Sequence, residues 1–153
     1  TEANHLYAIR ALLEGLAARL FVESADDAHI DRLAQALAAT VRAYQHGDPA
    51  GILATKNHFY QRLYEGAASE TLSSMLEILH ARISRWRALG LSHPLRSRAR
   101  STESVRGLHA LLAAIRKRDA QLAETIMRDE TNKAAAEVMR LLASRPQTPS
   151  AHR

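Results

Sequence analysis

The sequence contains no cysteine. That excludes a disulfide scaffold, a thiol nucleophile and cysteine-based zinc sites. Only six glycines and four prolines interrupt its 153 residues, and aromatic residues make up 5%. No glycine-rich phosphate loop, nucleophile elbow or metal-ligating His pair at helical spacing is present, so catalysis has no recognisable frame. There is no uninterrupted apolar run of roughly 18 residues, so no membrane span is expected. No basic-then-apolar leader opens the chain. Its start at Thr1 fits a processed product or an excised fragment, and an intracellular, cytoplasmic setting is expected.

Alanine and leucine dominate what is there: 29 Ala and 21 Leu, about a third of the chain. Both are strong helix formers, so an all-α protein is expected. The length suits one domain with its own core, about residues 5–143, followed by a polar, frayed tail from Ser144 to residue 153. The net charge of +5 is a weak hint of nucleic acid.

Apolar periodicity places six helices. The first spans about His5 to Glu23, with Leu6, Leu13, Ala17 and Leu20 on one face and Ile9, Leu12 and Leu16 widening it. The second runs from Asp27 to Gln45, capped by Ser24 or one of the two Asp residues that follow. Asp48-Pro49 opens the third, which reaches Ala67. Ser69 caps the fourth, whose stripe includes Met75, Leu79 and Trp86. Gly90 to Ser101 is a break rich in arginine, whose arginines at 96–100 fit phosphate contact and a solvated loop equally well. The fifth helix starts near Ser101, and Asp119 caps the sixth, Ala120 to Ala143. Short connections imply antiparallel neighbours in a bundle.

Four charged residues stand on apolar faces, Arg10, Lys56, Arg82 and Glu130, and Tyr60, one turn beyond Lys56, adds a hydroxyl to the same side. A buried charge must be paired or it becomes costly. Charges converging from several helices would line an internal cavity, and the cationic excess favours an anionic ligand such as a carboxylate. The plainer reading pairs Arg10 with Glu14 and Glu130 with Lys133, in a bundle that serves structure or partner binding alone. The eight histidines show no ligand spacing; His80 lies mid-helix without an evident partner.

Three segments carry a family resemblance. YAIRALLEGLAARL (Tyr7 to Leu20), ATKNHFYQRLYEGAAS (Ala54 to Ser69) and LHALLAAIRKRDAQLAETIMRDE (Leu108 to Glu130) resemble, in order and spacing, the C-terminal effector (FCD) domain of GntR-family regulators of the FadR-like branch. The resemblance implies a bundle of six or seven helices that dimerises and binds a small effector, often a carboxylate. It implies operator DNA as a partner only through a winged helix-turn-helix head, which these residues do not include. Many members hold a divalent metal with one Asp and three His. The motif carries those positions onto Lys56, Tyr60, Leu108 and Glu130, so no metal or other cofactor is expected. Lys56 would take the metal's charge and pair with Glu130. Arg10 matches a basic position common in the family's first helix.

Overall fold

A computed structural model describes residues 1–144. The expected tail, apart from Ser144, lies outside the described residues. Six helices follow one another: α1 (Glu2–Ser24), α2 (Asp27–His46), α3 (Pro49–Ala67), α4 (Glu70–Ser92), α5 (Arg98–Arg116) and α6 (Ala120–Ala143). No β-strand occurs among the described residues. The helices form an antiparallel bundle with α1 at its centre, packed against α3, α4, α5 and α6, while α2 rests on α3 and α5.

Local chemistry explains most helix ends. The carboxylates of Asp26, Asp48 and Asp119 and the hydroxyl of Ser69 each accept the backbone N–H three residues on. Asp26 and His29 complete a reciprocal capping box. Gly47 ends α2 at φ 73°, a left-handed conformation that costs a residue without Cβ little. No basic residue stands in the last turn of α1. Arg118 supplies one from the α5–α6 turn and donates to the carbonyl of Ala25 at 2.7 Å.

Three ends differ from expectation. α1 begins three residues early, at Glu2, where the Thr1 hydroxyl accepts from the Asn4 backbone N–H. α4 runs on through Gly90 to Ser92, because Gly90 is buried with room for Val138 of α6 beside it. α5 begins three residues early, at Arg98, although Ser97 gives no side-chain cap. The Glu137 carboxylate accepts from the Ser97 backbone N–H at 3.2 Å and puts negative charge at the helix start. That cap comes from 40 residues away.

The core is aliphatic with a few aromatics, among them Phe21, Leu33, Phe59, Leu76, Leu111 and Ile115, all essentially without solvent contact. Each such burial contributes about 1.5–3 kcal/mol. Gly66 lets α3 approach α1 closely, because the Phe21 ring occupies the space its Cβ would need. The inward face of α1 matches the expected one at Leu6, Arg10 and Ala17 and differs elsewhere. It carries Tyr7, Arg10, Glu14, Ala18 and Phe21, while Leu13 and Leu20 are only partly buried. Ile9, Leu12 and Leu16 point to solvent at 47%, 57% and 39% exposure. On α4, Met75 and Ile78 are likewise outside.

Candidate functional site

Three of the five singled-out residues meet at one cavity. Arg10 from α1 and Lys56 and Tyr60 from α3 line a cleft of about 60 Å³. Arg82 does not reach it; it lies exposed on α4 and pairs with Glu2 at 3.2 Å. Glu130 is buried, but against Gly107 and Arg100 rather than in the cleft. Its partner is Arg100, at 3.4 Å, and not Lys56, which has no ion pair among the described residues. Arg100 reaches Glu130 from one helix over, and the early start of α5 is what carries it there.

The cleft holds residues that the sequence did not single out. Arg87 of α4, Arg96 of the α4–α5 connection and Arg100 of α5 line it, with Tyr7, Tyr44 and Ser104. The arginines of the break are therefore partly internal. Arg96 is satisfied by the Gly90 carbonyl at 2.9 Å and the Ser101 hydroxyl at 2.8 Å. The Tyr44 hydroxyl donates to Ser104 at 3.2 Å. Burial alone would raise the Tyr44 pKa, yet Lys56, Ser104 and Arg96 hold it below the usual tyrosine value. The cleft is thus a site of positive potential.

Tyr60 organises the other end. The guanidinium carbons of Arg10 and Arg87 lie 5.2 and 5.6 Å from its ring centroid, within cation–π range. Behind them is a buried polar cluster. Glu14, fully buried on α1, accepts from the Tyr64 hydroxyl and from His80 Nε2 at 3.0 Å. Arg10 Nε stands 3.7 Å from the same carboxylate. Burial pushes the Glu14 pKa up, but the His80 bond, the Arg10 charge and the Tyr64 bond outweigh it and keep the group ionised. Arg87 Nη1 donates to Asn57 Oδ1 at 2.6 Å and to His80 Nδ1 at 3.1 Å. A guanidinium only donates, so Nδ1 is the acceptor and Nε2 carries the proton. His80 had no partner within reach in sequence; its partners come from α1, α3 and the next turns of α4.

Four buried side-chain atoms have no hydrogen-bond partner among the described residues: Arg10 Nε, Arg87 Nη2, Arg100 Nη1 and Glu14 Oε2. Three of them are guanidinium nitrogens of residues that line one cleft. An outer cleft of about 310 Å³ lies between α3 and α4 and shares Leu53, Tyr60 and Arg87 with the inner one. Those three side chains form the partition between the two.

The metal positions implied by the resemblance do not fit a metal. Lys56 contributes a cation, Tyr60 a ring that holds two guanidiniums, Leu108 a buried alkyl group, and Glu130 a carboxylate already held by Arg100. No group of three or more His, Asp or Glu able to hold a metal occurs among the described residues. No described helix is long and apolar enough to cross a membrane.

The family model described as FCD domain matches residues 5–132. The chain belongs to the FCD family. This FCD domain is therefore of the GntR-type effector-binding kind, which is regulatory and not catalytic. A solved structure, E. coli McbR/YncC, is similar to it, with a TM-score of 0.81 and 22% identity. The match covers 90% of this chain and 67% of that one, and it shows the shared all-α bundle. No curated protein sequence matches the chain.

The His80 cluster gives the FCD domain a pH dependence whose sign is fixed. Burial lowers the His80 pKa, and the charges of Arg10 and Arg87 add to this, against the Glu14 bond and charge that raise it. Tyr60 and Tyr64 complete its surroundings from α3. The unfolded chain then takes up a proton at about pH 6.5 that the folded chain refuses. Stability is full above that value and falls as the pH drops below it. Glu14, with its lowered pKa, adds a further loss once the pH falls below its unfolded value of 4.5. Melting temperatures measured from pH 7.5 to 5.5 should fall with pH, and His80→Gln should flatten that slope. An unchanged slope in the variant would mean that His80 does not stay neutral on folding.

Proposed function

We propose that this domain senses a small anionic metabolite, a carboxylate, and binds it without a metal between Arg10, Lys56, Tyr60, Arg87 and Arg100. The observation that carries this reading is that Arg10, Arg87 and Arg100, three residues lining one cleft, each have a buried guanidinium nitrogen without a hydrogen bond, with the nearest carboxylates of Glu14 and Glu103 no closer than 3.7 Å to Arg10 Nε and Arg100 Nη1. Leaving a buried donor unsatisfied costs about 1–3 kcal/mol each. A bound carboxylate repays this through charge-assisted, bidentate hydrogen bonds. Arg82 and Glu130 have no direct part in it. In this reading the protein is a FadR-like cytoplasmic regulator, and the ligand shifts α1, α3 and α4 relative to one another. Operator DNA is then contacted by a winged helix-turn-helix head that the ligand-bound domain biases.

The second part of the proposal is homodimerisation. Ile9, Leu12 and Leu16 form a solvent-facing stripe on α1, and Met75 and Ile78 another on α4. The Glu2–Arg82 pair ties the rims of these two helices together. We propose that a second copy covers this surface.

The ligand reading is tested by a thermal-shift screen of organic and sugar acids with chelator present. At least one acid should raise the melting temperature, since a ligand at about 100 times its Kd adds about 2.7 kcal/mol. Arg10→Gln should weaken that acid's binding at least tenfold. Silence across the panel would favour a bundle that serves structure or partner binding alone.

A further inference from the structure

The arginines that follow the α4–α5 break divide by direction. Arg96 and Arg100 turn into the cleft, while Arg98 is exposed. Further along α5, Arg106, His109 and Arg116 are exposed as well. At about 100° per residue these four lie within an arc of about 80°, in a stripe about 27 Å long. The buried residues of α5, among them Arg100, Ser104, Leu108 and Leu111, lie on its other side. The stripe has little counter-charge. Between Arg98 and Arg118 stand six Lys or Arg side chains and one carboxylate, Glu103. That surplus equals the net charge of the whole chain, +5, and leaves fifteen of each sign elsewhere. Of these six cations, only Arg100 and Arg118 have ion pairs among the described residues. Glu103 stands 3.7 Å from Arg100, and Asp119, the next carboxylate along, caps α6.

We propose that the exposed face of α5 grips the phosphate backbone of duplex DNA, through Arg98, Arg106 and Arg116, without reading its sequence. Charge complementarity carries the choice of partner. A duplex bears one negative charge per about 1.7 Å of its axis, so a stripe of this length meets phosphates in any register. Arginine holds phosphate by paired, charge-assisted hydrogen bonds. Contacts of this kind position a protein on the duplex and carry no base information. The composition of the face argues against other polyanions. Thr102 and Ala113 fill the space between the cations, and no large apolar side chain of α5 is exposed. A helix that lies on a membrane needs such side chains to insert, and a protein interface needs them for its core. The stripe is also apart from the cleft, which α5 lines with Arg100 and Ser104 from its other side. The grip is therefore a property of this domain itself and does not depend on a winged head or on an effector.

Fluorescence anisotropy of labelled DNA, titrated with the whole chain, tests this. Two short duplexes of unrelated sequence should bind alike at low salt. The logarithm of the binding constant should fall against the logarithm of salt concentration with a slope of about −3, one phosphate for each arginine. Replacing Arg98, Arg106 and Arg116 together by Gln should weaken binding at least tenfold and remove most of that slope. The matched control replaces Arg32, Arg85 and Arg128, exposed arginines of α2, α4 and α6, and should leave binding and slope nearly unchanged. Circular dichroism confirms that both variants are helical. Polyglutamate and phosphatidylserine vesicles, titrated with the unaltered chain, should bind more weakly than the duplexes. Absence of DNA binding overturns the proposal. So does an equal loss in the two variants, which would mean diffuse attraction to net charge. A clear preference for one duplex would mean base readout, and tighter binding to polyglutamate or to vesicles would name another partner; either result overturns it too. The comparison of polyanions needs only the unaltered chain, so a misfolded variant leaves the test intact.

Discussion

Replacing Glu14 by Ala is expected to cost about 3–5 kcal/mol of folding stability, the penalty for stranding buried charge. Glu14 has no solvent contact and answers three groups: the Arg10 guanidinium, the Tyr64 hydroxyl and His80 Nε2–H. Without it, the buried Arg10 and the partly buried Arg87 remain as cations near one another, and Tyr64 and His80 lose their acceptor. Urea unfolding followed through the single Trp86 measures the effect, and the melting temperature should fall by roughly 6–20 °C. Glu14→Gln should cost less, about 1–3 kcal/mol, because the amide oxygen still accepts from Tyr64. The amide lacks the charge that balances Arg10. A loss below about 1 kcal/mol for Glu14→Ala would show that this carboxylate is not the counter-charge of the arginine cluster. A bound organic acid should shrink the deficit, since it brings the missing negative charge to the other side of Arg10.

The fold was legible wherever its determinants are local. Asp48-Pro49, Ser69 and Asp119 mark helix starts because each cap acts three residues away. The start of α5 was not legible, since its cap is Glu137 on another helix. The orientation of α1 was legible at Leu6, Arg10 and Ala17 but not at Leu13 and Leu20, for a different reason. That helix is apolar on two sides, and hydrophobic periodicity alone does not say which side faces the core. The buried ion pair decides it, because Arg10 and Glu14 meet Tyr60, Tyr64 and His80 only from one side.

The site divides the same way. Arg10, Lys56 and Tyr60 stood out because a polar group interrupts an apolar stripe within one helix. Arg87, Arg96 and Arg100 did not, since a long cationic chain near a break is ordinarily solvated. What draws them inward is tertiary: the Tyr60 ring, the Gly90 carbonyl and Glu130. Arg82 misled because it shares α4's outer stripe with Met75 rather than the inner one with Leu79.

The outer stripe of α1 carries the second large expected effect: Leu12→Glu should convert a dimer into a monomer. A two-fold interface presents the same patch from both copies, so one substitution acts twice. Leu12 is 57% exposed in the isolated chain, and a change there has little to disturb within the fold. Across the proposed interface it places two carboxylates in apolar surroundings with no partner, at a cost of several kcal/mol. Dimerisation should weaken by about a thousandfold or more, since each 1.4 kcal/mol is a factor of ten. Light scattering at tens of micromolar protein reads the mass directly. The unaltered chain should give twice the chain mass and Leu12→Glu the chain mass, with the helical circular dichroism of both alike. Leu122→Glu is the control: Leu122 is also exposed, at 42%, but on α6, and its substitution should leave the dimer intact. Monomeric behaviour of the unaltered chain would remove the proposed occupant of this surface. A Leu12→Glu dimer would move the interface elsewhere. In the proposed reading ligand binding and dimerisation meet on α1, which turns Arg10 to the cleft, with Glu14 behind it, and Ile9, Leu12 and Leu16 to the proposed partner, so a shift of this one helix would be felt on both sides.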